Sequence, residues 1–78
     1  MEFSIVIKDI RQKNFHTQQE FADQIGVSFS TVNRWETQKA IPNYKTMKRL
    51  IEYCRKFGVD YQKLEDVWKE NKNGADSR

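Results

Sequence analysis

Ser30, Asn33 and Arg34, with Phe29 before them and Thr37 after, lie in one short run, FSTVNRWET, over residues 29–37. Their chemistry is recognition by hydrogen bonding. An Arg guanidinium donates in parallel to the two acceptors of a guanine edge, an Asn amide matches adenine, a Ser hydroxyl fits either, and an apolar ring can cover a thymine methyl. Groups for bond-making chemistry are scarce. The chain has a single Cys, Cys54, and a single His, His16, with no Gly-rich phosphate loop, paired acid site or ligands at zinc spacing. Cys54 falls on the apolar stripe of Leu50 and Ile51, where a core thiol belongs and a nucleophile does not. The expectation is therefore no enzyme, no metal site and no cofactor.

The elements that must position these side chains follow from helical periodicity. At about 100° per residue from Phe29, Val32 falls near 300° and Trp35 near 240°, whereas Phe29, Ser30, Asn33, Arg34 and Thr37 fall between about 0° and 140°. Val32 and Trp35 are the inward anchors, and the polar row faces out. Thr17-Gln18-Gln19-Glu20 reads as a capping box, which starts a helix at Gln18 with Phe21, Ala22 and Ile25 as its apolar face and Gly26 as its end. Ser28 caps the next helix, which begins at Phe29, runs towards Thr37 and stops before Pro42.

Upstream, Phe3, Ile7 and Ile10 make a first helix ending near Asn14, with Ile5 and Val6 off its stripe. Downstream, Met47, Leu50, Ile51, Cys54 and Phe57 make a fourth helix closed by Gly58. Asp60 caps a fifth with Leu64, Val67 and Trp68 in the core, ended by Asn73-Gly74. The expected fold class is all-α: a compact five-helix domain over residues 1–73, then a disordered polar tail over 74–78. Two short helices joined by Gly26-Val27-Ser28, the second carrying an outward row of Ser, Asn and Arg, have the form of a groove reader, since a B-DNA major groove admits one α-helix. The alternative is an ordinary solvated surface helix.

Size and charge set the bounds. At 78 residues the chain is one small domain. A lone Cys rules out an intramolecular disulfide and fits a reducing compartment. The longest apolar run, Ile5-Val6-Ile7, is far short of a membrane span or a signal-peptide core, so a cytoplasmic location without a membrane is expected. The formal charge is +3, with 14 Lys and Arg against 11 Asp and Glu. Between Ser28 and Lys56 there are seven cations and two acids, a local +5, which leaves −2 for the rest. A basic middle between mildly acidic ends places one positive face on the molecule, as polyanion binding needs.

The stretch TQQEFADQIGVSFSTVNRWE, residues 17–36, resembles the helix-turn-helix of the lambda-repressor/Cro-like (XRE-type) regulators of bacteria and phages. The matching features are Gln18, Ala22, Gly26, Val32 and the run Arg34-Trp35-Glu36, and the resemblance extends from about Phe3 to Val59. It implies the lambda-repressor-like fold and a set of roles. Phe29, Ser30, Asn33 and Arg34 match the groove-facing positions, although Phe29 could instead pack on the domain. Gln18 matches the residue that bonds a backbone phosphate, and Lys39 and Asn43 lie in the loop that commonly approaches the backbone. Thr37 joins them as an expected phosphate contact, with Tyr44 and Lys45 as weaker candidates. Arg11 and Glu36 match a largely buried structural ion pair.

Three departures stand out. Phe15-His16 replaces the usual Gly-Leu, which puts His16 in the staple position as a partly exposed imidazole. Gln38 replaces the Gly that usually follows the recognition helix, so it must tolerate positive φ or change the loop. The segment from Pro42 to Gly58 is longer than the common pattern, which lengthens the fourth helix and shifts the dimer surface. The implied function is a sequence-specific regulator that binds double-stranded DNA, a repressor acting as a homodimer on a palindromic operator, with no small-molecule effector evident. The dimer surface is expected around the fourth and fifth helices, with Phe57, Tyr61 or Trp68 as anchors and Trp68 better suited to the core. The alternative is a protein-binding adaptor or antitoxin-like partner on the same fold.

Overall fold

The computed structural model describes residues 2–76, with side chains through residue 71. These residues form five helices and no strand: α1 (Phe3–Lys13), α2 (Gln18–Ile25), α3 (Phe29–Glu36), α4 (Tyr44–Phe57) and α5 (Gln62–Asp76). The all-α, lambda-repressor-like expectation holds.

Helix ends are fixed by short local signals. Both halves of the capping box form at α2: Thr17 Oγ1 accepts the Glu20 amide at 3.1 Å, and Glu20 Oε1 accepts the Thr17 amide at 2.9 Å. Those hydrogen bonds, the backbone one foremost, hold the Glu20 carboxyl below its usual pKa. Gly26 ends α2 at φ +83°, a left-handed conformation that glycine adopts without a Cβ clash. Ser28 caps α3 through the Thr31 amide and Asn43 caps α4 through the Thr46 amide. Gly58 closes α4 at φ +69°. Asp60 Oδ1 accepts the Gln62 amide at the opening of α5.

The core is one cluster to which every helix contributes, with Ile7, Phe21, Val32, Cys54 and Leu64 fully enclosed. α1 packs against both α3 and α5. Two neighbours widen its buried arc beyond the Phe3-Ile7-Ile10 stripe, so Val6 and even Ser4 are inside while Ile5 stays exposed. α4 likewise departs from its expected stripe. Tyr53 is buried and packs edge-on against Phe21 at 4.8 Å, while Phe57 is at the surface and Ile51 is half-buried. α5 buries Leu64, Val67 and Trp68, and the Trp68 indole donates to the Pro42 carbonyl at 2.7 Å, tying α5 to the loop after α3. α5 continues past Asn73-Gly74 to Asp76, so the helix end expected there lies further on. A helix-interior glycine costs about 1 kcal/mol but does not by itself stop a helix. Of the tail expected over 74–78, residues 77–78 lie outside the described residues.

No helix among the described residues is long and apolar enough to cross a membrane.

Candidate nucleic-acid interface

The α2–turn–α3 unit is held from both sides. α2 and α3 pack closely on each other, with Ala22 fully buried. Gly26 and Val27 both return their amides to the Ala22 carbonyl, at 2.8 and 3.0 Å, which sets the turn. Val32 and Trp35 lie inside, at 0% and 2% exposure. Phe29, Ser30, Arg34 and Thr37 are exposed on the opposite face. Phe29 keeps 45% of its surface, so it is not packed into the domain.

Asn33 is half-buried, because it belongs to a network beneath that face. Its amide lies 3.5 Å from Gln18 Oε1, and the Gln18 amide donates to Glu36 Oε1 at 3.0 Å. Glu36 also takes two bonds from Arg11, Nε to Oε2 at 2.8 Å and Nη2 to Oε1 at 3.0 Å, with side-chain exposures of 11% and 4%. The third Arg11 nitrogen, Nη1, donates to the His16 carbonyl at 2.9 Å. The Glu36 hydrogen bond raises the Arg11 pKa further above its ordinary value. One carboxylate thus fixes the loop before α2, the first residue of α2 and the last of α3. Gln18 and Asn33, expected in separate roles, are brought together.

The remaining candidates surround the end of α3. Gln38 adopts φ +64° and the Lys39 amide returns to the Arg34 carbonyl at 2.9 Å. This is the helix-ending turn usually built on glycine, so Gln38 takes up the left-handed conformation. Its side chain donates to Glu2 Oε2 at 3.2 Å. Lys39 is exposed beside it. The Thr37 hydroxyl donates back to the Asn33 carbonyl at 2.8 Å, and a phosphate contact would require that hydrogen to swing outward. Asn43 spends its Oδ1 on the α4 cap, and its amide hydrogens remain for a phosphate oxygen. Tyr44 is 71% exposed and Lys45 is exposed on the first turn of α4.

Two supporting contacts escaped the sequence. Arg49 Nη1 lies 3.3 Å from the Gly26 carbonyl, reaching from α4 to the turn of the motif. The only advance signal was its place in a cationic stretch. His16 is half-buried, with Nδ1 2.7 Å from the Tyr53 hydroxyl. Asn14 Nδ2 donates to both the Ile10 carbonyl and that hydroxyl, at 3.3 and 3.0 Å, so Tyr53 joins the end of α1 to the loop before α2. Burial pushes the Tyr53 phenol up. His16 therefore orders the loop before α2. Among the described residues no group of His, Cys, Asp and Glu comes together as a metal set.

The sequence model of the helix-turn-helix family matches residues 7–63. The HTH-type transcriptional activator BcrR of Enterococcus faecalis is 30% identical over 53 residues, which cover 68% of this chain and 26% of that protein. This chain thus spans little more than a quarter of that relative's length. No solved structure matches.

Proposed function

The chain belongs to the helix-turn-helix family of DNA-binding transcription regulators, and from that premise we propose that it reads double-stranded DNA in a sequence-specific manner with α3 in the major groove. The observation that carries this reading is the two-faced α3: Val32 and Trp35 anchor it while Phe29, Ser30 and Arg34 stand in solvent and Asn33 is held at the edge of the Glu36 network. Arg34 reads a guanine edge, Asn33 and Ser30 supply further hydrogen bonds, and Phe29 covers a thymine methyl. Gln18, Thr37, Lys39 and Asn43 hold phosphates on either side.

Two copies bind as a homodimer on a palindromic operator with half-sites about one helical turn apart, because one short helix reads too few base pairs to be selective. Repression follows from occupancy, since a bound dimer excludes polymerase with no further contact, whereas activation needs a surface that touches it. The relative's description as an activator makes the direction of regulation the first question for a reporter assay. Loss of this chain is expected to raise expression from its operator, and lowered expression would assign activation.

Selection of bound sites from a random-duplex pool gives the operator. On it, Arg34→Ala is expected to cost about 1–3 kcal/mol and to relax preference at one base pair, and Arg34→Lys, which keeps the charge but loses the fork, should relax it too. Lys39→Ala should weaken all duplexes alike and lower the salt slope by about one. A wild-type specificity ratio in both Arg34 variants would assign Arg34 to phosphate and leave the reading to Phe29, Ser30 and Asn33.

A further inference from the structure

The loop between α3 and α4 has little of its own to hold it. Residues 40–42 belong to no helix, and Pro42 brings no amide hydrogen. Among the described residues their main chain makes one hydrogen bond, which the Pro42 carbonyl accepts from the Trp68 indole at 2.7 Å. That bond is buried, and its donor lies 26 residues further along the chain, on α5. Trp68 also falls beyond residue 63, where the match to the family ends.

The tied segment separates two of the side chains assigned to phosphate. Lys39 precedes it, and Asn43 follows it directly and caps α4 through the Thr46 amide at 2.9 Å. Tyr44, the next residue, sets its ring edge-on to the Trp68 ring at 5.2 Å while keeping 71% of its own surface. Trp68 thus meets the chain on both sides of Asn43. At 6% exposure it is itself too enclosed to touch a nucleic acid.

We propose that Trp68 is a positioning residue for DNA binding: by fixing the Pro42 carbonyl it holds Lys39 and Asn43 where they meet the phosphate backbone. This rests on the reading of that loop as a phosphate contact. A loop without the tie would have to be ordered each time DNA is bound, and that ordering would subtract from affinity. With the tie, the loop is ordered when the chain folds. Phosphate contacts fix position without reading sequence, and α3 keeps its own anchors in Val32 and Trp35, so Trp68 bears on holding and leaves base reading alone.

The test uses the full chain and Trp68→Phe, which keeps an aromatic ring on α5 and removes the indole donor. A second variant, Trp68→benzothienylalanine, puts sulfur in place of the indole nitrogen, keeps the shape of the side chain and carries the same expectation. Affinity for the selected operator and for a scrambled duplex is measured at several salt concentrations, well below the melting temperature of each variant. Both duplexes should weaken by the same factor, about tenfold, as for loss of one charge-assisted contact. The specificity ratio should stay at the wild-type value, and the magnitude of the log-affinity versus log-salt slope should fall by about one. In a Lys39→Ala background either change at Trp68 should cost less than it does alone, because part of what it supports is already gone. A lower melting temperature with wild-type affinity and salt slope would make Trp68 a purely structural residue and overturn the inference, leaving the phosphate reading intact. A fall in the specificity ratio would overturn it too, by showing that Trp68 acts on α3. If Lys39→Ala by itself left the salt slope at the wild-type value, the loop would not hold phosphate, and that reading and this inference would fall together.

Discussion

Glu36 accepts hydrogen bonds from Arg11 and Gln18 with almost no access to water, so each donor is held by a carboxylate that has few other partners. Removing one member strands a charge. Arg11→Ala or Glu36→Ala alone is expected to lower stability by about 3–5 kcal/mol, while replacing both with apolar residues of similar volume costs much less. A denaturation cycle over the two singles and the double measures the coupling, and additive losses below about 1 kcal/mol would mean that the pair behaves as an exposed one. The same geometry shows why Gln18 is a poor choice for isolating a phosphate contact. Its substitution also loosens Asn33, so loss of binding in Gln18→Ala combines holding with reading.

Among the elements, α3 is short and depends on its ends. Eight residues are too few for a helix to persist alone, so its cap at Ser28 and its closing turn at Gln38 bear directly on where Arg34 points. The closing turn is strained, since Gln38 occupies φ +64° with a Cβ. Gln38→Gly is expected to stabilise the domain by about 0.5–1 kcal/mol, the relief of left-handed strain exceeding the loss of chain entropy and of the Glu2 hydrogen bond. Thermal melting checks the sign. A lower melting temperature would show that the Gln38–Glu2 contact contributes more than the turn costs.

For the whole molecule, the enclosed thiol of Cys54 couples folding to alkaline pH. Burial, with a smaller effect of Asp60, pushes its pKa from 9.0 up to about 11. The folded state then keeps a proton that the unfolded chain gives up. The resulting stability is fully present below about pH 9 and is lost as pH rises through about 11. Melting temperature should accordingly fall between those values, and it should fall less steeply in Cys54→Ala, whatever that variant loses by its cavity. Equal slopes for the two proteins would show that the thiol is not what titrates. In the native state Cys54 should also resist thiol reagents at neutral pH, with labelling at a rate set by opening of the domain.

Sequence alone determined what is local. The capping box at Thr17 and Glu20, the caps at Ser28 and Asp60, the left-handed glycines and the opposed faces of α3 rest on interactions within about four residues, and these act alike in any surroundings. The Arg11–Glu36 pair was legible only through family resemblance, because its partners lie 25 residues apart. The tertiary structure decided the rest: Val6 goes inside because α1 lies between two helices, and Tyr53 because Asn14 and His16 satisfy its hydroxyl. It also set Gln18 and Asn33 against one another, placed Arg49 on the turn and left Phe15 in water. Helical periodicity reports which way a side chain leaves its own axis. What meets it there depends on the packing of other elements, and that becomes fixed only when the whole chain has folded.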